Sequence, residues 1–157
     1  MFKQLKETAT SDYKYIAIQL LFLVTFGLTS LSKWIPGGVP EGFLERFGDT
    51  WMNLLPGGLA VPFYTIAVTE TVAFVFFILS FFRLEWLKSS DKMYMRLGLI
   101  LSLFIFVILT YGLRLVGDHG GAANTFFYFG VTLFALYLTE KESGSGSKDK
   151  LIVNRTE

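Results

Sequence analysis

Seven side chains carry the chemistry that this sequence offers in and beside its apolar runs: Lys33, Glu70, Arg114, Asp118, His119, Asn124 and Tyr128. Glu70 is the sole charged residue of AVTETVAFVFF, and of the whole run from Ala60 to Phe82. An ionisable group so placed is costly in a membrane, usually faces a bundle interior, and is a functional candidate by default. Lys33 closes the first apolar run and Arg114 lies near the end of the third. Asp118 and His119 occupy the turn into the fourth.

Helical spacing gathers further polar groups around these. Ser102, Thr110 and Arg114 lie at multiples of four, Asn124, Tyr128 and Thr132 form an i, i+4, i+8 ladder, and Gly27, Ser30 and Lys33 recur every third residue. Small and hydroxyl residues mark helix contacts in membranes. If these faces converge, Glu70 is the floor of a polar pocket on the outer side, with Arg114, Lys33, Asn124 and Tyr128 as its walls. Asp118 is placed to cap the fourth helix, whose Gly120-Gly121 entry permits a tight turn. His119, alone in that turn, reads most simply as incidental, although its ordinary pKa suits proton transfer.

Two readings of Glu70 stay open. As a lock, it pairs with Arg114 or Lys33, or stays protonated, and holds four helices in register. As a functional group, it accepts a proton or binds the head of a ligand. No catalytic constellation is visible in this chain, so an activity, if there is one, is that of a subunit. The absence of cysteine excludes disulfides, thiol relays and cysteine-ligated clusters. The single histidine excludes bis-histidine haem within one chain, and no metal site is expected. A net charge of +1 gives no nucleic-acid signal.

The elements that must position these groups follow from hydropathy. Of the 157 residues 52% are hydrophobic and 17% charged, and the apolar ones gather in four runs. Each is close to the roughly 20 residues that a helix needs to cross the hydrocarbon core. They are apolar on all faces, whereas a soluble bundle shows polar stripes at helical spacing. The expected fold is therefore all-α: an integral membrane four-helix bundle, up-down-up-down, with spans at about 15–34, 60–82, 96–117 and 122–139. The first run lacks a small-residue cleavage site and reads as a retained span. The bilayer is the expected environment.

With four spans both termini share one side. Eleven Lys and Arg residues fall on that side: Lys3, Lys6, Lys14, Arg83, Lys88, Lys92, Arg96, Lys141, Lys148, Lys150 and Arg155. Only Lys33, Arg46 and Arg114 fall on the other. The positive-inside rule places both termini in the cytoplasm. Residues 1–14 read as a polar N-tail, and residues 140–157, with a Gly-Ser repeat, as a flexible C-tail. A glycosylation sequon at Asn154 lies on the cytoplasmic side and is discounted.

The first outer loop brackets EGFLERFGDTWMNLL between Pro-Gly elements. Pro40 suits a helix start, and Phe43, Phe47, Trp51 and Leu54 or Leu55 recur at helical spacing. This predicts a short amphipathic helix at the outer surface, interrupted by Gly42 and Gly48, acting as a packed lid or as a cover over a pocket. The Phe-rich runs read as lipid-facing filler, with quinone stacking as the functional alternative for one or two rings.

The end of the first span, FGLTSLSKW, the Phe47-Gly48 element of the outer loop, the glutamate within TETVAF and the short turn into the fourth span together resemble the DoxX-like family of four-span bacterial membrane proteins. The resemblance covers roughly Tyr15 to Thr139. It implies a quinone-linked or redox-complex subunit, with Lys33 and Glu70 as family-like polar positions and with no covalent cofactor. It also implies a protein partner or a homo-oligomer, because this chain has no redox ligand of its own. A structural assembly protein is the alternative, and a small transporter the least supported reading, for want of an internal repeat.

Overall fold

In hydrocarbon a backbone N–H or C=O finds no water, so an apolar run that crosses it pairs these groups internally as a helix. The computed structural model describes the backbone of residues 2–87 and 90–153 and the side chains of residues 12–87 and 90–141. Among the described residues five α-helices form: α1 (Phe2–Trp34), α2 (Glu41–Phe47), α3 (Ala60–Phe82), α4 (Met93–Leu115) and α5 (His119–Val153). A 3-10 turn lies at Trp51–Leu54. Within these, Asp12–Trp34, Ala60–Phe82, Met93–Leu115 and His119–Lys141 are each long and apolar enough to cross a membrane. The protein is an all-helical, four-helix membrane bundle.

The observed ends differ modestly from the expected spans. Helix α1 begins at Phe2 rather than at the apolar boundary near Tyr15, and α4 and α5 begin at Met93 and His119. The backbone of α5 is helical to Val153. The side chains of most of the expected tail, and the Asn154 sequon, lie outside the described residues.

The helices pack in chain order, α1 on α3, α3 on α4 and α4 on α5. Their buried positions repeat in sevens, the spacing that keeps a helical face turned toward its neighbour. On α3 these are Phe63, Glu70 and Phe77, with Ala67, Ala73 and Ser80 between and beyond them. On α1 they include Tyr15, Gln19, Phe22 and Phe26. Phe77 is the hub: its ring stacks on Phe22 at 5.2 Å and on Phe26 at 6.0 Å. Two glycines allow this. A Cβ on Gly27 would meet the Phe74 ring at 2.8 Å, and one on Gly98 would meet the Phe77 ring at 2.9 Å.

Helix α1 stops short. Ser30 meets Thr71 and Gln19 reaches the Phe77 carbonyl, so α1 ends about one turn beyond the level of Glu70. Helix α3 continues for ten residues beyond Glu70 toward its start, about 15 Å at 1.5 Å per residue. The segment between α1 and α3 fills this vacant corner as a cap. Phe43 packs on Phe63 at 5.3 Å and Trp34 on Tyr64 at 5.9 Å. Phe47, Met52 and Leu59 form a small core of their own.

The cap is two pieces rather than one amphipathic helix. Helix α2 ends at Phe47, and the chain restarts as a 3-10 turn after Thr50. That break rotates the face: Met52 is buried, while Trp51 and Leu54 are exposed. Trp51 Nε1 instead donates to the Tyr111 hydroxyl at 3.0 Å.

At the opposite end, the connection between α3 and α4 is more than a basic turn. Glu85 is buried, and its two carboxylate oxygens accept the N–H groups of Tyr94 at 3.1 Å and Met95 at 2.8 Å. It thereby caps α4 from outside the helix, satisfying donors that the first turn leaves unpaired. Lys92 donates to the Leu87 carbonyl at 2.9 Å and lies 4.5 Å from the centre of the Tyr15 ring.

Candidate functional site: an intramembrane cleft around Glu70

Glu70 occupies a heptad position of α3 between Phe63 and Phe77, so its side chain points inward with theirs and is 3% exposed. A carboxylate there needs a partner, because an unpaired buried charge is strongly unfavourable. Lys33 supplies it: Nζ donates to Oε2 at 2.6 Å. Lys33 follows Phe26 by seven residues and therefore returns to the same face of α1. Its place at the end of the shortened helix sets the ammonium at the level of Glu70.

The pair is the centre of an α1–α3 ladder. The Thr71 hydroxyl donates to the Ala67 carbonyl at 2.7 Å, which uses its single proton. Ser30, 2.8 Å away, must then donate to it, and Trp34 Nε1 donates to it at 2.9 Å.

Between α1 and α5 lies a cleft of about 610 Å³. At the α3–α4 hairpin end the Tyr15 hydroxyl donates to the Leu138 carbonyl at 3.1 Å and joins the two helices. Above that contact the cleft lies between them. Leu21, Phe22, Thr25, Phe26 and Thr29 form one wall, and Thr125, Phe127, Tyr128, Val131 and Thr132 the other, with Phe106 and Leu109 behind. Glu70 is the one ionisable carboxylate in this lining. The rim residues Leu21, Phe127 and Tyr128 are exposed on the lipid-facing surface, so the cleft opens sideways into the bilayer. A mostly apolar lateral cleft stands in place of the polar pocket expected on the outer side.

The expected site residues separate into two groups. Lys33, Glu70 and Tyr128 stand in or beside the cleft. Arg114 does not: its Nη1 lies 3.0 Å from His119 Nδ1 on the exposed surface. Arginine has no acceptor, so Nδ1 accepts and the imidazole proton sits on Nε2. Asp118 caps α5 through Gly121 N–H at 2.7 Å and pairs with Arg46 of the cap helix. The Gly121 N–H, and then the Arg46 guanidinium, hold its carboxyl below the ordinary 3.8. Arg114–His119 and Arg46–Asp118 are two surface pairs, and the second ties the cap to the α4–α5 turn. Asn124 is exposed and faces away from the cleft.

One geometric reason explains Arg114 and Asn124. Each step of four residues overshoots a 3.6-residue turn by about 40°. Along α4 the burial fades in step, from Ser102 (buried) through Thr110 (half-buried) to Arg114 (exposed). Along α5 it fades from Thr132 (buried) through Tyr128 (51% exposed) to Asn124 (exposed). The polar stripe that does face inward is Thr125, Thr132 and Thr139, spaced by seven and all buried. Thr125 also meets the Thr110 hydroxyl at 2.7 Å. The heptad spacing was the available signal for these residues, and for Gln19, which is buried and donates to the Phe77 carbonyl at 3.2 Å.

Among the described residues, no group of three or more His, Asp or Glu could hold a metal ion. Compared with known proteins, the chain matches no family model, no curated protein and no solved structure.

Proposed function

We propose that the protein is an accessory, quinone-interacting subunit of a bacterial membrane redox complex, and that the cleft between α1 and α5 receives the quinone head from the bilayer. The observation that carries this reading is a buried carboxylate in the lining of a laterally open, aromatic-lined cleft. A quinone travels in the lipid phase, so a sideways mouth suits its approach. Phe22, Phe106, Phe127 and Tyr128 offer ring contacts, and the Tyr128 hydroxyl offers a donor to its oxygens, while the protons of Thr25, Thr29, Thr125 and Thr132 go to carbonyls of their own helices. Glu70 is the group positioned to take or return a proton there. Electrons would pass through a bound cofactor or a partner.

The redox assignment rests on the resemblance to the DoxX-like family, and the inner-membrane orientation with both termini cytoplasmic rests on the Lys and Arg distribution. A partner protein or a second copy of the chain belongs to the same reading.

The test uses purified protein in phospholipid nanodiscs and a photoreactive azidoquinone. Adducts on α1 and α5 within the cleft, lost in Thr132→Trp, support the reading. If quinone analogues neither label the cleft nor raise the unfolding temperature, the quinone assignment falls.

The second reading, a structural lock, draws on the 2.6 Å pair itself, since Glu70 already has its partner. If Glu70→Gln destabilises the isolated protein but leaves an assembled complex fully active, the lock reading holds. A small transporter has the least support, since no internal repeat is visible in the four spans.

A further inference from the structure

A second cavity, of about 460 Å³, lies under the cap, in the corner that α1 leaves vacant. Phe43, Phe47 and Met52 roof it, and the first turns of α3 and the last turns of α4 wall it. The volume lies within the range of about 300–1,000 Å³ usual for small-molecule sites. Its lining is apolar except for a few hydroxyls and one cation, Lys33. Leu109 lines both this cavity and the cleft, so the two are separated by the Leu109 side chain and the Lys33–Glu70 pair.

Lys33 is therefore shared between two spaces. Its ammonium has three donors, and one is spent on Glu70 Oε2. The other two meet no acceptor among the described residues, and 22% of the side chain is accessible. An ammonium with unused donors at the edge of an apolar cavity is half of a site for an amphiphilic anion. Val61, Ile108 and Tyr111 are exposed on the lipid-facing surface and also line the cavity, which gives an aliphatic chain a way in between α3 and α4.

We propose that this cavity binds a long-chain carboxylate, with its head on the free face of Lys33 and its chain along the apolar walls toward the bilayer. A carboxylate is compact enough to reach an ammonium set about one turn inside the end of α1 and accepts the two remaining N–H bonds. The headgroup of a phospholipid is bulkier and would lose its hydration against Phe43, Phe47 and Met52. This inference stands apart from what occupies the α1–α5 cleft.

The experiment uses the full chain in phosphatidylcholine nanodiscs and a palmitic acid analogue carrying a mid-chain diazirine. Adducts are mapped by mass spectrometry, with unlabelled oleate, methyl oleate and phosphatidylglycerol as competitors. We expect adducts on the cap and on the facing ends of α3 and α4, displaced by oleate and not by its ester. Labelling should fall about tenfold or more in Lys33→Gln/Glu70→Gln, which removes both charges together, as one charge-assisted bond in an apolar site implies. Gly112→Leu gives a second arm that leaves the ion pair untouched. A Cβ at Gly112 would sit 3.6 Å from the Phe47 ring, ordinary contact, and the rest of the added side chain takes up space in the cavity that Gly112 lines. It should abolish labelling with Thr132→Trp as the unaffected control. Equal competition by methyl oleate, displacement by phosphatidylglycerol in place of oleate, or unchanged labelling in Gly112→Leu overturns the proposal. If the double variant does not fold, the ester competition and Gly112→Leu decide it.

Discussion

Lys33 Nζ and Glu70 Oε2 stand 2.6 Å apart, across 37 positions of sequence, between the end of α1 and the middle of α3. The carboxylate side is buried and the ammonium side is not wholly so. That asymmetry places one member of the pair at a lateral cleft and the other at the cavity beneath the cap.

Breaking the pair from one side should cost more than removing it. Lys33→Gln strands a buried carboxylate, and the expected loss is about 3–5 kcal/mol, while Lys33→Gln/Glu70→Gln should recover most of it. Reversible unfolding of the detergent-solubilised protein measures this as a double-variant cycle. If the losses of Lys33→Gln and Glu70→Gln simply add up to that of the double variant, the pair contributes no coupling.

The close approach of α3 and α4 depends on the missing side chain at Gly98. A Cβ there would meet the Phe77 ring at 2.9 Å, and Phe77 is already stacked against Phe22 and Phe26. Gly98→Leu should destabilise by about 1–3 kcal/mol, the usual range for overpacking. A lowered unfolding temperature with helical content retained is the expected result.

Glu85 should behave as a cap and not as a surface charge. Glu85→Ala removes the acceptor of two α4 N–H groups and should cost about 0.5–2 kcal/mol, with Glu85→Gln intermediate. Hydrogen exchange at Tyr94 and Met95 should accelerate before exchange elsewhere in α4.

The Asp118 pair should make the cap acid-sensitive. Its carboxyl is held below 3.8 in the folded protein, so the folded form carries fewer protons than the unfolded chain near that pH. The stabilisation is fully present above 3.8 and is lost as pH falls through the lowered value. Asp118→Asn should abolish this part of the acid dependence, read as the change in unfolding temperature between neutral pH and about pH 3.

Much of the bundle is legible in the chain. Apolar runs of span length separated by short connections leave helices as the one structure that pairs every backbone group in lipid, and four of them in sequence alternate in direction. Glu70 is legible as an inward residue, because Phe63 and Phe77 lie seven residues to either side of it. Lys33 is legible as one of its two candidate partners. The Arg114 and Asn124 assignments fail because spacing by four drifts around a helix, and the Thr125, Thr132 and Thr139 stripe shows the spacing that does not.

What the sequence determined by itself was the set of spans, their alternation and the inward side of α3, all of which follow from local hydropathy and helical period. Tertiary structure decided the rest. It chose Lys33 over Arg114, because α1 ends close to the level of Glu70 while the drift of spacing by four carries Arg114 round α4 to the exposed side. It broke the loop helix at Gly48–Thr50, because the cap must fold into the corner that α1 vacates. It left α1 and α5 apart, because helix–helix contact depends on which small and bulky residues meet across the bundle, and no local pattern records that meeting. The Lys33–Glu70 pair lies between the two spaces that result.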